Sequence, residues 1–201
     1  MRYPLSSALE GLPYAPSALF VMKPIRYSRY LLLGLLIAIG VTASSQAGDS
    51  LLVAGNLKSA AQKMVGYFIE KNYDEYVKFV HPNVLAHFGG KEKMLDVLTK
   101  SLGQSEAQGF TIKNVTIGEP MAIIHSSADL ESIVPQIIEI KTKDGRMIST
   151  AYLLGLSDDN GKTWYFADTA GKTIAQMKLI FPQLSDLLVI PKKTQPVFYK
   201  D

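Results

Sequence analysis

Apolar residues recur every three or four positions over residues 51–71, a spacing that places them on one face of a helix. These positions are Val53, Leu57, Ala60, Ala61, Met64, Val65 and Phe68. Asp49 or Ser50 is a suitable N-terminal cap, because both side chains accept hydrogen bonds from free backbone N–H groups. The pattern predicts a long amphipathic helix, Leu51–Lys71.

A short second helix is predicted at Tyr73–Val80. Asn72 before it and Glu75 three residues later have the spacing of a capping box. Pro82 is expected to end this helix, since proline lacks the N–H that helical hydrogen bonding needs.

A third helix is predicted at Lys91–Leu102, directly after Gly89-Gly90. Its apolar residues again share one side, and Gly103 is a suitable C-terminal glycine. The first half of the chain is therefore predicted to contain three helices.

The second half changes to segments rich in β-branched and aromatic residues, separated by turn formers. The predicted strands are Phe110–Gly118, Met121–His125, Ile133–Lys141, Met147–Leu156 and Thr163–Asp168. Asp144-Gly145 indicates a two-residue hairpin turn. Consecutive strands linked by hairpins form an antiparallel sheet, so the predicted class is α+β, with helices on one face.

After the strands, Thr173–Phe181 has the apolar spacing of a last amphipathic helix, which Pro182 would end. The tail Lys192–Asp201 contains Pro196 and is expected to be extended, pairing with or wrapping the rest of the domain.

The N-terminal region has the order of a secretory signal peptide. Lys23, Arg26 and Arg29 precede the apolar run 31–41, and Ser45-Gln46-Ala47 has the small residues of a cleavage site. We therefore predict a signal peptide over 22–47, cleavage after Ala47, and an exported protein, periplasmic or secreted. The membrane is then a partner only through the uncleaved leader.

Two alternatives concern this leader. A membrane anchor needs about 20 apolar residues, and the run here is shorter. The chain contains no cysteine, so it lacks the thiol on which a lipoprotein carries its lipid. Residues 1–21 do not fit a leader and are interpreted as an upstream extension, with either Met1 or Met22 as the true start.

The predicted leader also carries the excess positive charge. The whole chain has a net charge of +3, but Arg2 and the three leader cations, against Glu10, precede position 48. The remaining 48–201 segment is formally neutral, with 17 basic and 17 acidic residues. A nucleic-acid partner is not expected, because such proteins need a surplus of lysine and arginine.

The order of elements resembles that of the NTF2-like superfamily, which includes proteins like ketosteroid isomerase and SnoaL. The resemblance covers about residues 50–170. It is carried by Tyr67–Glu75, His81–Val84, Phe88–Gly90 and the strand Gly161–Phe166 with its Gly-Lys-x-Trp pattern.

That resemblance implies a cone in which a curved antiparallel sheet wraps the long helix around a pocket. The core would cover about 50–170 of a single domain at 48–201, with an extra C-terminal helix and tail at 171–201. Members include enzymes, transport factors and secreted domains without assigned chemistry, so the fold leaves the function open.

The leading interpretation is an exported, non-catalytic domain that binds a small apolar ligand in a pocket lined by Tyr152, Trp164 and Phe166. An alternative is a small isomerase or lyase that uses a pocket base. The candidates are Asp168, His87 and Tyr152, because an aspartate among aromatic rings becomes a stronger base by desolvation. A second alternative is a protein-binding or oligomerising module. The size of the domain and an open antiparallel sheet are also compatible with a homodimer. Packing and capping alone also account for Trp164, Phe166 and Asp168.

Other chemistries have little support in the sequence. Ser157–Trp164 matches the Asp-box turn of sialidases, but it occurs once, and we interpret it as a tight turn capped by Asp159. His81, His87 and His125 lack the spacing of a metal site, and His81 is expected at a helix C-terminus. No phosphate-binding loop or nucleophile motif is present, so no cofactor is expected.

Overall fold

The computed structural model describes residues 43–126 and 130–200. The predicted extension 1–21 and most of the predicted leader 22–47 lie outside the described residues. Among the helices that are described, none is long and apolar enough to cross a membrane.

Helix α1, Ala43–Ile69, has the predicted apolar face, with Leu57 and Ala61 completely buried. It begins earlier than predicted, so positions 49 and 50 lie inside the helix and not at its start. It ends at Ile69, and Lys71 just beyond it has a φ of +58°, which lets the Asn72 N–H donate a hydrogen bond back to the Tyr67 carbonyl.

Helix α2, Tyr73–Tyr76, continues as a 3₁₀ turn, Val77–Phe79. Its predicted cap is present, since the Asn72 side chain accepts a hydrogen bond from the Glu75 N–H at 3.4 Å. The expectation for Pro82 was incomplete, because this residue begins an additional helix.

That additional helix is α3, Pro82–Phe88, with proline at its first turn. His81 precedes it, and its Nδ1 accepts a hydrogen bond from the Asn83 N–H at 3.1 Å. The prediction that His81 stands at a helix C-terminus is therefore wrong. The ring caps an N-terminus.

Helix α4, Lys91–Ala107, runs five residues past the predicted end. Gly103 lies inside it, because residues 104–107 are all compatible with a helix and continue it. The glycine that follows the helix with a positive φ is Gly109, whose φ is +89°.

The sheet has six strands, and every strand pair is antiparallel. They are β1 Thr111–Ile117, β2 Ile124–His125, β3 Leu130–Thr142, β4 Gly145–Ser157, β5 Tyr165–Asp168 and β6 Val197–Lys200. The order is β1-β3-β4-β5, with β2 also on β3 and β6 also on β4. The predicted α+β class with an open antiparallel sheet is confirmed.

The β3–β4 hairpin turns one position earlier than predicted. Thr142 pairs with Gly145, so the two turn residues are Lys143 and Asp144. Gly145 has a φ of +148° and begins the next strand, so its conformational freedom is used just after the turn.

The C-terminal helix is shorter than predicted. Helix α5, Ile174–Met177, is a single turn held by a capping box between Thr173 and Gln176. The extended tail is confirmed, and its last residues form β6 along the first residues of β4.

Both faces of the sheet are covered, which corrects the expectation of helices on one face. The first apolar cluster lies between α1 and residues such as Val134, Leu153 and Phe166. The second lies on the opposite face, where Phe181 and Leu184 of the C-terminal segment cover Ile133 and Leu154. The edge strand β5 contributes to both clusters.

Candidate functional site

A cavity of about 360 Å³ lies beside the edge strand β5. Its walls come from α1, the α2 region, α3, α4 and the C-terminal segment. The apolar lining is Met64, Val80, Val84, Phe88, Met94, Leu98, Phe166, Ala167, Met177, Ile180 and Phe181. Mainly apolar pockets of this size are typical sites for small molecules.

Four polar side chains share this cavity: Tyr76, His87, Asp168 and Lys172. Burial, and next the charge of Asp168, raise the pKa of the Tyr76 phenol to about 12. Its hydroxyl therefore stays protonated at physiological pH and can donate a hydrogen bond.

Asp168 is placed by the register of the sheet. It pairs with Leu153 on the α1 side, so it shares a face with Trp164 and Phe166, as predicted. Its Oδ1 accepts a hydrogen bond from the Ala170 N–H at 2.7 Å. The Asp168 side chain therefore caps the turn at residues 168–170, whereas the following helix is capped by Thr173. The side chain is exposed, so the expected desolvation is absent.

Of the other two candidate catalytic residues, His87 lies at the cavity and Tyr152 does not. His87 lies on α3, exposed, and lines the same cavity as Asp168. Tyr152 precedes Leu153 on β4, so it belongs to the opposite face and packs with the second apolar cluster. The three candidate catalytic residues do not meet in one cavity.

The three predicted pocket residues also separate. Phe166 lines the cavity, whereas Tyr152 lies across the sheet from it. Trp164 is buried in the first cluster, where its Nε1 donates to the Gly161 carbonyl at 3.1 Å. Of these residues, only Phe166 is a wall of the cavity.

The turn at 157–163 has the predicted form. The Oδ1 of Asp159 accepts hydrogen bonds from the N–H groups of Lys162, at 3.0 Å, and Thr163, at 2.8 Å. These hydrogen bonds, of which those from Thr163 contribute most, lower the pKa of Asp159 to about 2. Ser157 adds a hydrogen bond to the same oxygen. Asp159 is thus a structural cap.

Metal-ligating side chains do not converge in the described part of the chain: it holds no group of three or more histidine, cysteine, aspartate or glutamate residues placed for a metal ion. His81 is engaged as a cap, and His125 lies exposed on β2.

Sequence reasoning missed two residues. Tyr76 sits inside a predicted helix, where nothing in its spacing distinguishes it from a core position. Glu131 is completely buried on β3; its Oε2 accepts the Ser185 N–H at 2.9 Å, and its Oε1 has no partner among the described residues. Glu131 lies two residues before the predicted strand Ile133–Lys141, which begins earlier in the structure, so the predicted bounds excluded it.

No protein-family model, curated protein or solved structure matches the chain.

Proposed function

We propose that the protein is an exported, non-catalytic module of the NTF2-like kind that binds a small, largely apolar molecule in the cavity beside β5. The cavity carries this proposal, because its volume of about 360 Å³ and its apolar lining fit such a ligand. A long first helix packed on an antiparallel sheet supports the family assignment.

The polar groups suggest how the ligand is oriented. Tyr76 offers a protonated hydroxyl and Asp168 an exposed carboxylate at the same cavity. A ligand with one acceptor and one donor or cationic group on an apolar body would satisfy both.

The test is a fluorescence titration with Nile red, a neutral apolar dye, on the wild-type protein and two variants. Leu98→Asp places a carboxylate in the cavity wall. Val97→Asp is the matched control, because Val97 is its neighbour on α4, is 47% exposed and does not line the cavity.

We expect saturable dye binding that is at least about ten-fold weaker in Leu98→Asp, since burying a charge against an apolar ligand is costly. Val97→Asp should bind as the wild type does. Absence of saturable binding, or equal binding by both variants, would remove the proposal.

An isomerase or lyase is a second candidate, favoured by the presence of both Asp168 and His87 at the cavity. Asp168 would act as the base and Tyr76 as a hydrogen-bond donor to the developing negative charge. If material extracted from the purified protein is turned over, Asp168→Asn should abolish turnover while retaining binding. Turnover unchanged in that variant would exclude this role.

Export is proposed from the leader. Cleavage after Ala47 would shorten α1 so that it begins at Gly48, leaving Asp49 in the first turn, where a negative charge is favourable. Intact-mass measurement and N-terminal sequencing of the protein recovered outside the cytoplasm should find Gly48 first. Recovery of the whole leader would contradict this.

A homodimer is proposed for the same module, through the open strands at the edges of its sheet. Light scattering at high protein concentration should give twice the monomer mass. A monomer mass under those conditions would exclude the dimer.

A further inference from the structure

A second, more open depression of about 590 Å³ lies on the outer side of α1. One wall is the polar stripe of α1 that includes Ser59, Lys63 and Tyr67. The others are the α2 region, with Lys78, and the segment 162–165 that leads into β5. We call this depression the lysine groove. None of these polar residues lines the apolar cavity, so the two sites are separate.

The lysine groove carries unbalanced positive charge. Its lining includes Lys63, Lys78 and Lys162 but a single carboxylate, Glu75. Glu75 is already paired with Lys78. Lys63 and Lys162 form no ion pair or side-chain hydrogen bond with any described residue. Two ammonium groups therefore remain available to a ligand.

The wall that carries Lys162 is held rigidly. The Lys162 N–H donates a hydrogen bond to the Asp159 carboxylate, which also accepts hydrogen bonds from the Thr163 N–H and the Ser157 hydroxyl. On the other side, the Asn56 side chain donates to the Gly161 carbonyl at 3.2 Å and ties this turn to α1. A preorganised wall lowers the entropic cost of binding.

Aromatic rings complete the lining. Tyr67 and Phe79 line the groove, are in contact with ring centroids 6.0 Å apart, and are each half-buried. Such rings offer flat surfaces on which the body of a ligand can pack.

We propose that the lysine groove binds a small organic dianion whose two charges pair with Lys63 and Lys162 and whose ring packs on Tyr67 and Phe79. The volume lies in the small-molecule range. A nucleic acid is disfavoured, because the chain after residue 47 is formally neutral and the groove holds three lysines only.

The test is calorimetric titration at constant ionic strength with phthalate, glucose 6-phosphate and inorganic phosphate, and with glucose as the neutral control. Trp164 is the single tryptophan of the chain and lines the groove, so its emission reports whether binding occurs there. The variants are Lys63→Met and Lys162→Met. Lys113→Met is the matched control, because Lys113 is exposed on β1 and outside the groove.

We expect the ring-bearing dianions to bind saturably and to change Trp164 emission, and glucose to give no heat. Each groove variant should weaken binding by roughly ten-fold, the size of one charge-assisted hydrogen bond, whereas Lys113→Met should not. Thermal unfolding of each variant verifies folding.

Several outcomes would overturn the proposal: absence of saturable binding by every dianion, equal affinities in folded groove variants and wild type, or binding of inorganic phosphate as tight as that of the ring-bearing anions. Nile red binding in the apolar cavity is unaffected by these variants, so failure here is distinguishable from failure of the proposed function.

Discussion

Leu57 of α1 lies so close to Gly155 of β4 that a Cβ at position 155 would stand 2.8 Å from the Leu57 Cδ1 atom. Phe166 and Trp164 approach the same point at 3.4 Å and 3.5 Å. The absence of a side chain at Gly155 thus allows the helix to contact the sheet where the core is most completely buried.

The first prediction concerns Gly155→Ala. The added methyl group must displace Leu57, which is completely buried, so we expect a loss of about 1–3 kcal/mol of unfolding free energy, as for other overpacked cores. Urea denaturation measures it. Gly66→Ala is the control, since nothing lies within 4 Å of its Cβ position. Equal stability of Gly155→Ala and wild type would show that α1 does not approach β4 this closely.

The second prediction concerns Gly103→Ala. Gly103 lies inside α4 with open space around its Cβ position, so alanine should stabilise the protein by about 0.5–1 kcal/mol through its helix propensity. The same denaturation experiment applies. A clear loss of stability would mean that Gly103 adopts the left-handed conformation of a helix C-terminus, as its sequence position first suggested.

Elements with a strong periodic signal could be predicted from sequence. The stripe of α1 reports burial directly, because one face of this helix packs against the core, and the β-branched and aromatic composition of β3 and β4 indicates strands. The boundaries of helices were predicted wrongly where a residue is compatible with more than one structural position. Gly103 suits either a helix end or a helix interior, and Pro82, which was expected to end a helix, begins the next one.

The sequence could predict local relations within the candidate site but not how its residues are arranged in space. Strand parity correctly placed Asp168 with Phe166, because that relation is local. The relation of Tyr152 to Asp168 depends on the register between β4 and β5, which the sequence does not contain, and that register puts the two side chains on opposite faces. Tyr76 and Asp168 come together through the packing of α2 near β5, a tertiary relation as well.

The third prediction is acid sensitivity from Asp159. Its pKa falls from the ordinary 3.8 to about 2 on folding, so the ionised form favours the folded state. The contribution is fully present above pH 4 and is lost as the pH falls toward 2. Asp159→Asn should be less stable at neutral pH and should lack this part of the acid transition. Chemical denaturation at several pH values tests this. Parallel pH profiles for the two proteins would contradict it.

The fourth prediction is alkaline sensitivity from Tyr76. Folding raises its pKa from 10.0 to about 12, so the stability linked to the neutral phenol is present below pH 10 and is lost as the pH rises through 12. Tyr76→Phe should lose less stability over that range. The ultraviolet difference between wild type and this variant should show one tyrosine that ionises near pH 12.

The variant Asp168→Asn tests the second cause of the raised Tyr76 pKa, which is the charge of Asp168. Removing the negative charge should lower the pKa of Tyr76 without restoring it to 10, because burial is the larger cause. An unchanged titration of Tyr76 in Asp168→Asn would mean that the two groups do not interact across the cavity.

The fifth prediction concerns Glu131, whose Oε2 holds the Ser185 N–H at 2.9 Å under the C-terminal segment. Glu131→Ala leaves that N–H without its acceptor and opens a gap in the core, so we expect a loss of at least about 1–3 kcal/mol. Glu131→Gln keeps a carbonyl acceptor and removes an ionisable group from a completely buried position. It should be as stable as the wild type or more so.

Urea denaturation of both Glu131 variants, with hydrogen exchange at Ser185, separates the two effects. Protection of the Ser185 amide should persist in Glu131→Gln and fall in Glu131→Ala. If Glu131→Gln proves the less stable of the two, the carboxylate itself, and not an oxygen acceptor at that position, holds the C-terminal segment on the sheet.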